Sequence, residues 1–299
     1  MWSLSECIPW MTVGLAESVA IVTLNLCTII VFIRNRNLRK RSTHLVINLA
    51  VNDMLAGGIS VYEMFYLPGK RCNLWVQLSV EDGTFYFLLF IIVLFNFGSL
   101  TNIAIIALER VHATFFPFRH RMLNKWVYGL IIAVVWVTSG LVTVASQLLR
   151  QFEETYYYGL YLFVTFFSIC LLIVCVSYTS IVIKVRSGVQ PQHHGAASRE
   201  RKLTMTLLIV TVASLLLCLP YVVWSYVAFI SKFKIVHSLS SSVANHLNRA
   251  FVFLFSANSL VNPILYAMRM PEYRSALLAL FRKRPQQQRQ VAVFPLRDM

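Results

Sequence analysis

The chain has 299 residues, 58% of them apolar and 13% charged, with a formal net charge of +15 and a mean hydropathy of +0.65. A soluble domain is about 45–50% apolar and about 25% charged, so disorder and an ordinary soluble enzyme are both excluded. The basic residues lie between apolar runs and not along one polar face, which points to the anionic leaflet of a lipid bilayer as their partner and excludes nucleic acid.

Seven apolar runs follow one another at 10–33, 43–67, 82–115, 126–149, 156–185, 202–229 and 243–267. Each is about the ~20 residues needed to cross a hydrocarbon layer. Backbone polar groups in lipid have to pair within their own segment, and the runs lack the alternation of a barrel strand, so each is predicted to be a helix. The fold class is an all-α membrane protein, a seven-transmembrane helix bundle. The first run has no basic stretch before it and continues into Arg34, so it reads as a span and not as a cleavable signal. Of the 27 Lys and Arg residues, 21 fall in the first, third and fifth connections and the tail. Because basic residues collect on the cytoplasmic side, the N-terminus is expected outside and the C-terminus inside, at the plasma membrane. The connections are short, which leaves no second folded domain. Residues 1–9 form an extracellular N-terminus, 10–267 the bundle, 268–284 a short amphipathic helix on the membrane surface and 285–299 a cytoplasmic tail.

Several polar residues fall where burial in lipid is expensive. Asp53 lies in mid-span, and an ionisable side chain there costs at least ~2.5 kcal/mol. Asn25, Asn96, Ser99, Asn258, Ser259 and Asn262 are at depths from which they can converge on it. Such a cluster serves either as an oxygen-lined cation or proton site or as a structural network tying helices together. At the inner end of the third span, Glu109-Arg110 leaves Arg110 the choice of Glu109, Glu200 or the membrane interface. Pro220 and Pro263 interrupt the ladders of the sixth and seventh spans and are expected to kink them. Tyr273, Leu277, Leu278 and Phe281 recur at helical spacing after Met270, the pattern of an amphipathic helix. His193 and His194 have no further ligands beside them and are given no role.

Taken in order, these motifs resemble the rhodopsin-like, class A family of G-protein-coupled receptors over essentially the whole chain. The matching residues are Asn25, Leu49-Ala50-Val51-Asn52-Asp53, Glu109-Arg110-Val111, Pro117-Phe118, Trp136, Tyr178, Pro220 and Asn262-Pro263-Ile264-Leu265-Tyr266. The resemblance implies that Asp53, Asn96, Ser99, Asn258 and Asn262 form an allosteric sodium site, sodium being the one cofactor expected. It implies that Arg110 and Glu200 form an ionic lock, that Tyr178 and Tyr266 meet on activation, and that Phe118 enters a pocket on a heterotrimeric G protein. An extracellular ligand and the G protein would then each favour the same open form.

The chain also departs from the family pattern. Position 85, where the family's disulfide cysteine is expected, is Phe, and the second outer connection has no cysteine, so Cys7 and Cys72 are expected to pair instead. Cys170 replaces the fifth-span proline, and Cys218 the sixth-span tryptophan. Ile92 stands where amine receptors carry an aspartate, and Ser256 where opsins carry the Schiff-base lysine, so neither ligand type is expected. These departures resemble the melanocortin, cannabinoid and lysolipid receptors. Glu63 matches a pocket glutamate of the first, which suggests a cationic peptide, while Phe85, Ile92, Phe166 and Trp224 suggest an apolar pocket for a lipid. The chain is not expected to be an enzyme, since it shows no paired catalytic acids, His cluster or nucleophile with its base. The alternative is a seven-helix transporter or channel using Asp53 as an ion or proton relay, which would need a polar path through the apolar stretch from Phe85 to Phe95.

Overall fold

A computed structural model describes residues 4–35, 38, 43–72, 82–151, 156–186, 196–231 and 238–281; several side chains at helix ends, including those of 63–72, 82–85 and 196–204, lie outside the description. The described residues are helical almost throughout: α1 (Leu4–Arg34), α2 (Thr43–Cys72), α3 (Asp82–Phe115), α4 (Pro117–Met122), α5 (Lys125–Gln151), α6 (Tyr156–Arg186), α7 (Ala196–Ile230), α8 (Ser241–Arg269) and α9 (Pro271–Phe281). The expected seven spans correspond to α1, α2, α3, α5, α6, α7 and α8. Six of them are long and apolar enough to cross a membrane within their described residues, and α7 contributes the shorter apolar stretch Val212–Ala228.

The side-chain pattern is that of a bundle in an apolar solvent. On α5, Leu130, Val134, Val137, Leu141, Val144 and Leu148 are exposed at intervals of three and four residues, which is one continuous helix face. The opposite face buries Ser139, Thr143 and Ser146. Their hydroxyls return to backbone carbonyls one turn back, and Ser139 also donates to Thr101 of α3 at 3.3 Å. Small polar residues let helices approach closely where hydrophobic association gives no advantage. Gly57 does the same for α2 and α1, since a Cβ there would lie 2.7 Å from Ile21 Cγ2.

α3 is the central helix and touches α2, α4, α5, α6 and α7. Trp136 of α5 donates to Asn48 of α2 at 3.1 Å, Asn48 donates to Asn102 of α3 at 2.7 Å, and Asn102 returns to the Gly98 carbonyl at 2.8 Å. Three helices are thereby tied by a chain of buried amides, each satisfied within the protein as lipid requires.

Three boundaries differ from expectation. α1 begins at Leu4 and not at 10, with Pro9 in its second turn; the extension is held by Trp10, which stacks on Phe253 of α8. α4 was not expected; Pro117 opens it at a position where a missing N–H is harmless. The amphipathic helix is Pro271–Phe281, set off from α8 by Met270 in an extended conformation. Its Tyr273 and Ala276 are buried, while Leu278 and Phe281 are exposed. Pro220 and Pro263 lie inside continuous α7 and α8.

Candidate functional site

At the bundle centre, Asp53 is fully buried. Its Oδ2 accepts from Asn262 Nδ2 at 2.8 Å, and its Oδ1 accepts from Ser259 Oγ at 2.9 Å and, at a long 3.5 Å, from Ser99 Oγ. Helices α2, α3 and α8 thus meet on one carboxylate. Asn25 of α1 donates to the Ser259 carbonyl at 3.0 Å. The Oδ1 atoms of Asn258 and Asn262 are buried without partners. Asn96 is half-buried and makes no hydrogen bond to Asp53. The carboxylate, two hydroxyls and spare amide oxygens are the donor set of a small hard cation.

The C-terminal end of α3 carries a second cluster. Arg110 is 1% exposed, and its guanidinium pairs with the adjacent Glu109. Glu109 also accepts from Tyr128 of α5 at 3.3 Å and lies 3.3 Å from His120 Nε2 of α4. His120 Nδ1 faces His112 Nδ1 at 3.3 Å. Arg110 Nη1 has no hydrogen-bond partner among the described residues. The side chain of Glu200, in α7, lies outside the described residues, so the lock expected there is not addressed. Phe118 of α4 is 76% exposed beside this cluster.

Tyr178 and Tyr266 are both buried but belong to different apolar clusters, Tyr178 with α3, α6 and α7, and Tyr266 with α1, α2 and α9. Tyr266 packs edge-on against Phe32 and Tyr273, and its hydroxyl has no partner.

Away from Arg110 along the bundle, Phe97, Phe163, Phe166, Tyr221 and Phe255 join ring to ring with centroids 5.1–6.4 Å apart. Cys170 and Cys218 are buried in the same cluster. Ile92 is half-buried, and Trp224 lies 5.7 Å from Phe251. The side chains of Glu63 and Phe85 are outside the described residues. Cys7 is disulfide-bonded, while Cys27, Cys170, Cys175 and Cys218 are free thiols; the side chain of Cys72, its expected partner, is outside the description.

Sequence reasoning missed His120 and Tyr128 as neighbours of Glu109. Position alone gave no signal for them, because the contacts are made by folding α4 and α5 against α3. It also missed Glu17, a half-buried carboxylate in the apolar run of α1 with no hydrogen bond or ion pair among the described residues. An acid inside a spanning segment is by itself the signal.

The comparisons agree with this architecture. The chain is 28% identical to the histamine H2 receptor of Canis lupus familiaris over 84% of this chain and 73% of that protein. It is 25% identical to pinopsin of Columba livia over 86% of this chain and 76% of the relative. Squid rhodopsin superposes with a TM-score of 0.74 at 16% identity, covering 92% of this chain and 86% of that one, which shows the seven-helix fold. The pattern of the "7 transmembrane receptor (rhodopsin family)" matches residues 24–266, from the helix carrying Asn25 to Tyr266. Such proteins are multi-pass membrane receptors that act in signal transduction and are not enzymes. The chain belongs to the rhodopsin family of seven-transmembrane receptors.

Proposed function

We propose that this chain is a plasma-membrane receptor, N-terminus outside and C-terminus in the cytoplasm, that passes the binding of an extracellular ligand to a heterotrimeric G protein. The observation that carries this reading is the inner mouth of the bundle. Arg110 is buried and paired with Glu109, and α4 beside it presents Phe118, 76% exposed. A guanidinium held by its neighbour and an aromatic ring offered to solvent form a surface that can engage a partner once helices separate. The orientation is supported by the 21 of 27 basic residues expected on that side.

The test is nucleotide exchange on co-expressed G proteins. Phe118→Ala is expected to cut exchange at least tenfold with surface expression unchanged, and a full panel of G proteins giving no exchange above mock, with or without screened ligands, overturns the reading.

For the ligand, an apolar or aromatic body is the reading best supported. Ile92 and Ser256 lack the charge and the amine that would hold an amine or retinal, so the ligands of the relatives do not transfer. Ile92, Trp224 and the ring cluster around Phe163 supply an apolar lining. The missing family disulfide keeps the resemblance to melanocortin, cannabinoid and lysolipid receptors as our reading of the ligand group. Charge reversal at Glu63 separates the two ligand types: a cationic peptide loses potency and a lipid keeps it. At the centre, Asp53, Ser99, Ser259, Asn258 and Asn262 would hold sodium, which would add bonds between α2, α3 and α8 and so favour the closed form.

A further inference from the structure

The outer ends of α1 and α8 carry a third polar cluster, separate from the centre and the inner mouth. Trp10 Nε1–H donates to His246 Nδ1 at 2.8 Å. Glu6 Oε1 lies 3.3 Å from His246 Nε2 and accepts from Ser242 Oγ at 3.1 Å. An indole nitrogen can only donate, so His246 Nδ1 has to present its lone pair and the ring proton belongs on Nε2, aimed at Glu6. The two contacts together specify one tautomer of a neutral ring. Trp10 is also stacked on Phe253, with centroids 5.3 Å apart and planes 8° from parallel. The side chains of His246 and Glu6 are 38% and 36% exposed, so water reaches both.

We propose that this clasp is a proton-binding site, through which acidity on the outer face of the membrane changes how α1 is held to α8. The assignment to the outer face rests on the orientation given under Proposed function. A second proton on the ring has one place to go, Nδ1. The contact from Nε2 to Glu6 then becomes an ion pair, while Nδ1–H faces the indole N–H of Trp10, donor against donor. That hydrogen bond is lost, and Trp10 keeps its stacking on Phe253 and its tilted ring contact with His246, centroids 5.9 Å apart.

Among the described residues, Glu6 of α1 is an ionisable side chain placed against the ring, and both residues have further contacts. Arg249, three residues further along α8, has contacts of its own, and Trp10 and Phe253 carry no charge. His246 and Ser259 are on one continuous helix, separated by ~20 Å at the α-helical rise. The clasp therefore acts on the same rod that supplies Ser259 and Asn262 to Asp53.

The test uses the full receptor in lipid nanodiscs with 15N-labelled tryptophan, the Trp10 indole resonance being identified by its disappearance in Trp10→Phe. Between pH 8 and pH 5 this resonance is expected to move along a single-proton curve in the wild type. It is expected to stay still in His246→Gln, whose amide offers an oxygen to Trp10 and an N–H to Glu6 at every pH. A flat wild-type curve, or the same curve in His246→Gln, overturns the site. The wild type also gives a reading that needs no variant: 15N-labelled histidine, traced through its contact with the Trp10 indole proton, should show a neutral ring protonated at Nε2 at pH 8, and protonation at Nδ1 overturns the site. Antibody access to an N-terminal epitope on intact cells reads the orientation separately. An epitope reached only after permeabilisation overturns the outer-face assignment even where the resonance titrates.

Discussion

Asn262 Nδ2 donates to Asp53 Oδ2 at 2.8 Å, joining α8, one residue before Pro263, to the middle of α2. The bond places a buried acid beside the proline-bearing stretch of the neighbouring helix.

If sodium binds at this centre, it stabilises the folded receptor by mass action. At ten times its dissociation constant the gain is about 1.4 kcal/mol, or roughly 3 °C in melting temperature for a chain of this size. Replacing choline chloride by sodium chloride at constant ionic strength should raise the melting temperature by that amount, and Asp53→Asn should abolish the rise.

Gly98 of α3 faces Asn52 of α2 so closely that a Cβ would run into the Asn52 side-chain oxygen. Asn52 is fully buried, and its amide nitrogen is bonded to the Phe95 carbonyl at 3.1 Å, so the side chain cannot easily swing aside. Gly98→Ala is expected to cost about 1–3 kcal/mol through overpacking. Gly58→Ala, where nothing lies within 4 Å, should be neutral or slightly stabilising. Thermal melts of the two variants in detergent compare them directly, and equal melting temperatures would contradict the packing described for α2 and α3.

Trp136→Phe removes the donor to Asn48 Oδ1 and leaves that oxygen buried. The expected loss is about 1–3 kcal/mol, the cost of an unsatisfied buried acceptor. Asn48→Leu also strips Asn102 Oδ1 of its donor, so its loss should be at least as large, and a double-mutant cycle on melting temperature measures how far the two overlap.

Tyr273 ties α9 to α1 through a 2.8 Å hydroxyl contact with Thr28. Tyr273→Phe should weaken that attachment by about 1 kcal/mol, seen as roughly fivefold faster amide exchange across 271–281. Burial pushes the Tyr273 phenol above its ordinary value of 10.0. A neutral phenol is thus favoured when docked, so the attachment is complete below about pH 10 and weakens as pH rises beyond it. The protection of α9, measured relative to the base-catalysed exchange common to every amide, should fall in that range in the wild type and stay level in Tyr273→Phe.

The spans were legible because each side of a hydrocarbon layer imposes the same demand on sequence: an apolar run of sufficient length with charges at its ends. Asp53, Ser99, Ser259 and Asn262 were legible as a group because polar side chains in such runs stand out, and their depths can be counted. Asn96 was counted at the same depth, but it makes no bond to Asp53; depth gives the level and not the direction around the helix. The pairing of Glu109 with His120 and Tyr128 was not legible, since α4 is a single short basic stretch, PFRHRM, whose sequence does not reveal where it folds back. The early start of α1 was hidden by Pro9, which reads as a helix breaker until Trp10 is seen packed on α8.

The buried apolar side chains fall into two groups, one built from α6 and α7 and the other from α1, α2, α5, α8 and α9, and among their fully buried members α3 alone gives residues to both. Mechanically, α3 is an axle between two slabs. A turn of one slab about that axle is passed to the other where α7 packs along α8, through Phe255, which meets Phe163 and Tyr221 ring to ring.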